Sequence, residues 1–129
     1  MRNLLTCVLI ILTHVLTSQQ ESELNCAYVK KGRFLYYSPS GGEVAVKRTR
    51  RFQKERYNNE KQKFKFKINW ISECEYTLTL AKVKGVTKEK KQEIIGKTIR
   101  CNILSTQFDE CRVKIEDASN SKNELIMYF

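Results

Sequence analysis

Polar and apolar side chains alternate without a break through residues 63–70, which read Lys-Phe-Lys-Phe-Lys-Ile-Asn-Trp. In a β-strand, a period of two places the apolar side chains on one face and the polar ones on the other. The apolar set is Phe64, Phe66, Ile68 and Trp70. A strand with one apolar face must bury that face against other strands, so the pattern predicts an antiparallel sheet that curls over on itself.

Strand-like patterns with short links cover most of the remaining chain. The predicted strands are residues 33–37, 43–49, 52–57, 63–70, 75–80, 98–104, 111–116 and 125–129. Residues 38–42, Ser-Pro-Ser-Gly-Gly, carry the strongest turn signal, and Asn58-Asn59 predicts another turn. We therefore predict an all-β fold, an antiparallel meander of about eight strands that forms a small barrel or half-barrel.

One highly charged segment, residues 84–96, does not alternate. Thr87 is suited to cap a short helix over residues 88–95, which Gly96 would end. A solvated loop is an equally good interpretation, and both remain open for this segment.

The first eighteen residues have the pattern of a secretory signal. Arg2 precedes an apolar run over residues 4–16, which Thr13 and His14 interrupt. The run is shorter than the roughly twenty residues of a membrane span and fits the apolar part of a signal. We therefore expect an exported protein, periplasmic or secreted, with a signal over residues 1–18, a polar lead over 19–25 and one β domain over 26–129. An uncleaved N-terminal anchor is the alternative.

Four cysteines lie beyond the predicted signal, and in an exported chain they are expected to form two disulfides. They are Cys26, Cys74, Cys101 and Cys111. A hairpin centred on Thr106 would place Cys101 opposite Cys111 on its apolar face, which leaves Cys26 to pair with Cys74. Free buried thiols are the alternative. The chain has no CxxC pair, and its single histidine lies in the predicted signal, so neither a metal site nor a cofactor is expected.

Loss of that histidine with the signal also removes the chemistry of a Ser–His–Asp triad or a Cys–His pair. Carboxylates remain, but no two of them stand in a context that indicates glycoside hydrolysis. We therefore expect a non-enzymatic protein, and a carboxylate-dependent hydrolase is the last alternative.

Basic side chains are concentrated in the middle of the chain. The net charge is +10, and residues 47–56 alone contain six cations. The candidate polyanion-binding residues are Arg50, Arg51, Lys63, Lys65 and Lys67. Such a surface attracts anionic polymers through counterion release, and export favours an anionic envelope lipid or polysaccharide over nucleic acid. Lysines that merely solvate and protect a strand are the simpler alternative.

Arg48 shares the inward-facing parity of Val44 and Val46. A buried arginine needs an acid or several acceptors, and Glu55 on the next strand is a candidate. The pair would be the polar anchor of a ligand cavity, or else an ion pair that closes one end of the barrel. A bulge that turns Arg48 outward is the remaining alternative. The predicted cavity residues are Phe34, Arg48, Gln53, Glu55, Phe64, Phe66, Trp70 and Tyr76. The leading hypothesis is therefore a small hydrophobic or amphipathic ligand inside the barrel, although small barrels can also be filled by their own side chains.

Residues 26–80 contain the pattern C…KGxF…R…QxE…W…CxYxL. Its residues are Cys26, Lys31, Gly32, Phe34, Arg48, Gln53, Glu55, Trp70, Cys74, Tyr76 and Leu78. In this pattern the chain resembles a family of small exported proteins from Gram-negative bacteria, some of which carry an automatic name that refers to DNA topoisomerase IV. The resemblance implies an exported protein with lipocalin-like or calycin-like strand order and no established activity, to which Cys101 and Cys111 are additions.

Overall fold

The computed structural model describes residues 24–57, 61–117 and 122–129. It is a closed antiparallel barrel of eight strands, in which each strand pairs with the next and the last returns to the first. The strands are β1 (Gly32–Tyr37), β2 (Glu43–Arg48), β3 (Phe52–Tyr57), β4 (Lys63–Trp70), β5 (Glu75–Lys84), β6 (Thr98–Gln107), β7 (Glu110–Glu116) and β8 (Lys122–Tyr128). The prediction of an all-β meander is confirmed, and the barrel is closed. The predicted signal and the Asn58-Asn59 turn lie outside the described residues.

Alternation of buried and exposed residues along the strands fills the barrel with apolar side chains. The largest fully buried side chains are Tyr76, Ile103, Met127, Val29, Val44 and Val113. The charged segment before β6 contains a helix, α1 (Lys88–Ile94). Its first turn is capped by the Thr87 hydroxyl, which accepts a bond of 3.2 Å from the Lys90 amide. Of the two interpretations of this segment, the helix is therefore the one found. No helix in the described ranges is long and apolar enough to span a bilayer.

Of the two predicted disulfides, the structure contains one. Cys26 and Cys74 are bonded, with their Cα atoms 5.4 Å apart, as predicted. Cys101 and Cys111 are buried thiols, so their predicted pairing is wrong. Burial raises the pKa of Cys101 to about 12 and that of Cys111 to about 11, which keeps both protonated at neutral pH.

The predicted pairing of Cys101 with Cys111 is wrong because the β6–β7 hairpin has a different register from the one expected. The chain turns at Phe108-Asp109, since Gln107 pairs with Glu110, and the register shifts again between Ile103 and Ser105. Cys101 consequently lies opposite Ile115, four residues along β7 from Cys111. At a rise of roughly 3.4 Å per residue the two cysteines are about 14 Å apart along the strands, which is too far for a disulfide.

The two ends of the barrel differ. At the end that we call the capped end, a 3-10 helix (Cys26–Val29) packs Val29 fully out of solvent. The turns at residues 49–51, 71–74 and 108–109 lie at the same end of the barrel as this helix, because of the antiparallel order of the strands. The disulfide attaches the 3-10 helix to the 71–74 turn.

The barrel closes along a narrow seam between β1 and β8. Leu35 and Tyr128 are the register partners there, whereas neighbouring strand pairs share five or more. Aromatic rings pack edge to face across the seam, with ring centroids 5.4 Å apart for Phe34–Phe129 and 6.4 Å apart for Tyr37–Tyr128.

Candidate functional site

Basic side chains line up across five strands on the outer face of the barrel. One row of cross-strand register partners runs Arg33, Lys47, Lys54, Lys65, Lys82, from β1 to β5. The next row, two residues along each strand, runs Leu35, Ala45, Arg56, Lys63, Lys84. We call the eight cations of these two rows the basic ladder. Every neighbour along the first row is another cation.

The ladder depends on a bulge in β5. Lys65 pairs with Lys82, but Phe66 pairs with Leu80, so Ala81 is an extra residue on β5. Uninterrupted alternation from Leu80 would point Lys82 into the barrel, and the extra residue instead turns it outward. Val83 is accordingly buried, and Lys82 is exposed.

A groove of about 620 Å³ follows the basic ladder, and all eight ladder cations line it. Ala45 lies among them in the second row and contributes no side chain beyond its methyl group. Because lysine and arginine carry their charge at the end of an aliphatic stem, the groove has apolar walls and a charged rim. Lys65 illustrates this arrangement, since its Nζ lies 4.2 Å from the centre of the Phe52 ring.

The ladder is electrostatically unfavourable in the protein alone. Directly opposed like charges destabilise a sheet, and side chains in neighbouring strands are about 5 Å apart, well within the roughly 8 Å over which physiological salt screens charge. In the other half of the barrel, surface cations have acidic partners, as in Arg112–Glu124 and Lys114–Glu116. Residues 30–67 contain 13 basic and three acidic side chains, whereas residues 68–129 contain ten and nine. The excess charge of the chain therefore lies on the ladder side.

The predicted polyanion-binding residues are divided between two places. Lys63 and Lys65 belong to the ladder, and Lys67 faces outward beside it, opposite Phe52 and Thr79. Arg50 and Arg51 lie in the turn after β2, at the capped end and outside the ladder. The predicted set did not include Arg33, Lys47, Lys54, Arg56, Lys82 and Lys84, although Lys47, Lys54 and Arg56 lie within the basic segment 47–56. The alternation in β1, β2 and β3 was a usable signal for the first four, whereas the β5 bulge hid the last two.

Inside the barrel, Arg48 is the centre of a buried polar network. It is 2 % exposed, which confirms that it faces inward. Its Nε donates to Gln53 Oε1 at 2.9 Å, Nη1 donates to the Val29 carbonyl at 2.7 Å, and Nη2 donates to the Tyr76 hydroxyl at 3.0 Å. The guanidinium also lies 4.7 Å from the centre of the Tyr76 ring. Arg48 thus holds the 3-10 helix onto the end of the barrel.

Glu55 joins this network through Gln53, whose Nε2 donates to Glu55 Oε1 at 2.7 Å. The Tyr36 hydroxyl donates to the other carboxylate oxygen at 2.9 Å and lies 3.1 Å from the Tyr57 hydroxyl. Arg48 and Glu55 are therefore connected by an amide bridge, in place of the ion pair that was considered from the sequence. Burial raises the pKa of Glu55 above its ordinary value near 4.5, and the bonds from Tyr36 and Gln53 and the charge of Arg48 oppose that rise.

The raised pKa of Glu55 gives a prediction for stability. Above pH 4.5 the unfolded chain loses this proton while the folded state still binds it, so the contribution of Glu55 to stability falls as pH rises toward its folded-state pKa. In the Glu55→Gln variant this contribution is absent. Urea unfolding of both proteins from pH 4.5 to 7.5 should show wild type losing stability relative to the variant. A difference that stays constant or grows with pH would contradict the assignment.

A cavity of about 180 Å³ lies beside this network inside the barrel. Of the eight predicted cavity residues, five line it: Arg48, Gln53, Glu55, Phe66 and Tyr76. Phe34 and Phe64 also line the groove. The centre of the Phe34 ring lies 5.4 Å from the Arg48 guanidinium, and the Phe64 ring stacks with that of Phe66 at 6.3 Å. Trp70 packs at the capped end, with its ring centre 4.7 Å from that of Tyr76. The structure thus places each of these three aromatic residues against one of the five that line the cavity.

No protein-family model matches this chain, and neither a curated protein nor a solved structure shows significant similarity to it.

Proposed function

We propose that this protein is a non-enzymatic binding protein that holds a linear polyanion in the groove over the basic ladder. The observation that carries the proposal is the row of five cations that are consecutive cross-strand partners. Mutual repulsion makes this row costly in the isolated protein, and an anionic chain laid along it removes that repulsion and releases its own counterions.

The geometry of the ladder fits an extended chain. Five strands at a spacing of roughly 4.8 Å give a row about 19 Å long, which offers successive charges to a repeating ligand. Six of the eight ladder cations are lysines, whose compact ammonium groups adapt to flexible ligands better than the planar arginine fork does.

An anionic polysaccharide is the polymer that we propose. The Cys26–Cys74 disulfide is typical of proteins from oxidising compartments, which agrees with the export predicted from residues 1–18. In those compartments polysaccharides that carry carboxylate, sulfate or phosphate groups are available, and nucleic acid is not a routine partner.

Binding to dextran sulfate, with neutral dextran as the uncharged reference, tests the proposal. If about five phosphate-like contacts form, raising the salt from 50 to 200 mM should lower the affinity by a factor on the order of 100 or more. The Lys54→Glu and Lys65→Glu double variant should lower the affinity at fixed salt by a similar factor and flatten the salt dependence, because it reverses two adjacent charges in the row.

A matched control is available on α1, where Lys88 and Lys91 are exposed at the opposite end of the barrel from the cap. The Lys88→Glu and Lys91→Glu double variant makes the same change in net charge without touching the ladder. It should retain nearly all of the affinity. Equal losses in the two double variants would show that dextran sulfate responds to net charge alone and would reject a specific site.

A small ligand inside the barrel is the second candidate function, and the polar network beside the cavity favours it. The cavity of about 180 Å³ is smaller than the roughly 300–1,000 Å³ of ordinary ligand pockets and has room for about six water molecules. Because the cavity is this small, we rank a ligand inside the barrel below a polyanion in the surface groove. A reproducible adduct in native mass spectra of the gently purified protein would reverse that order.

A further inference from the structure

Three separate loops at the capped end each present a large exposed apolar side chain. Tyr28 on the 3-10 helix is 72 % exposed, Ile71 after β4 is 50 % exposed, and Phe108 after β6 is fully exposed. Single exposed apolar residues are common on protein surfaces, but here three of them project from separate connections at one end of the barrel, where a flat partner can contact all three. None of the three belongs to the basic ladder, so this end of the barrel is separate from the groove proposed to hold a polyanion.

The three tips are held in place. The Cys26–Cys74 disulfide bonds the 3-10 helix that carries Tyr28 to the turn that carries Ile71. The Asp109 carbonyl accepts a bond of 2.9 Å from the amide of Phe129, which fastens the Phe108 turn to the end of β8. Phe108 itself has a φ of 39°, a left-handed conformation that is uncommon for a residue with a large side chain. The tips are therefore fixed before any partner is bound, which reduces the entropic cost of binding.

Cations surround the apolar tips. Arg50 and Arg51 are exposed in the turn after β2, and Lys30 and Lys31 follow the 3-10 helix. Two acids, Glu73 and Asp109, lie in the neighbouring turns, so the charge of these six residues is a modest positive excess. The capped end thus combines projecting apolar side chains with a cationic surround.

We infer that the capped end docks on the surface of an anionic lipid bilayer. A bilayer accepts separated apolar tips into the boundary between headgroups and acyl chains, and its anionic headgroups attract lysine and arginine within a Debye length. A protein partner would need a surface complementary to three tips that charged residues separate, whereas a bilayer needs no such match. Tyr28, Ile71 and Phe108 enter the interface, and Arg50 and Arg51 contact headgroups.

Sedimentation with vesicles tests this inference. The exported protein, without residues 1–18, should bind vesicles that contain phosphatidylglycerol in phosphatidylcholine and should bind pure phosphatidylcholine vesicles weakly. Phe108→Ser should lower the affinity for the mixed vesicles about tenfold, since it removes one phenyl ring from the interface. Because Phe108 is fully exposed, this variant keeps the fold, which circular dichroism can verify.

Two control variants separate lipid docking from other causes. Ile95→Ser removes a 37 % exposed apolar side chain at the end of α1, at the opposite end of the barrel from the tips, and should leave vesicle binding unchanged. The Lys54→Glu and Lys65→Glu ladder variant should also keep most of the vesicle affinity. The inference is overturned if Phe108→Ser and Tyr28→Ser both bind like wild type, or if the ladder variant loses vesicle binding and Phe108→Ser does not.

Discussion

Replacement of Arg48 by methionine is expected to destabilise the barrel by about 2–4 kcal/mol, because each buried acceptor that loses its donor costs about 1–3 kcal/mol. The change leaves the Val29 carbonyl and the Tyr76 hydroxyl without the donor that now serves them. It also removes the positive charge that favours ionised Glu55. Urea unfolding of the purified protein measures the loss directly, as a shift of the midpoint at unchanged slope.

Arg50→Met is the matched control for this prediction. Arg50 lies two residues further along the same chain segment but is exposed in a turn. Its replacement should change stability by no more than about 0.5 kcal/mol. If the two variants have the same urea midpoint, the bonds of the Arg48 side chain contribute nothing measurable to stability.

The second large effect is expected from the disulfide. Replacing both Cys26 and Cys74 by serine opens a loop with a sequence separation of 48. The chain-entropy relation assigns a loop of that length about 4 kcal/mol of stabilisation at 25 °C. The 3-10 helix would also lose its covalent attachment and depend on Arg48 and the buried Val29 alone. Because both predictions act on this helix, their effects on stability should not be additive.

A reducing agent provides the control for the disulfide. It should lower the stability of the wild type to that of the double serine variant and leave the variant itself unchanged. Further destabilisation of the variant by reduction would mean that Cys101 and Cys111 form a bond in solution, contrary to the structure.

Much of the fold could be predicted because local patterns determine it. The strict alternation over β4 and the Thr87 cap of α1 are signals within short segments, and both elements occur at the expected residues. The β6–β7 register could not be predicted in the same way. Its turn at Phe108-Asp109 contains no glycine, proline or asparagine, and the shift after Ile103 depends on packing around the whole barrel.

The candidate site could likewise be predicted only where a local pattern determines it. The inward position of Arg48 follows from parity on one strand, and the structure confirms it. The basic ladder, in contrast, depends on the register between strands, and the sequence of a single strand does not determine that register. Lys65 can be identified from the alternation in β4 alone. That Lys54 and Lys82 lie beside it depends on the pairing of β4 with β3 and β5, and for Lys82 also on the Ala81 bulge.

The narrow seam between β1 and β8 bears on the order in which the barrel assembles. Seven of its eight strand junctions join neighbours in sequence, so each can form as a local hairpin with little loop-closure entropy. The eighth must bring together Leu35 and Tyr128, which lie near opposite ends of the described chain, in return for one pair of register partners. We therefore expect closure of the preformed sheet between β1 and β8 to be the slow step of folding. The edge-to-face ring contacts Phe34–Phe129 and Tyr37–Tyr128 stabilise the closed barrel.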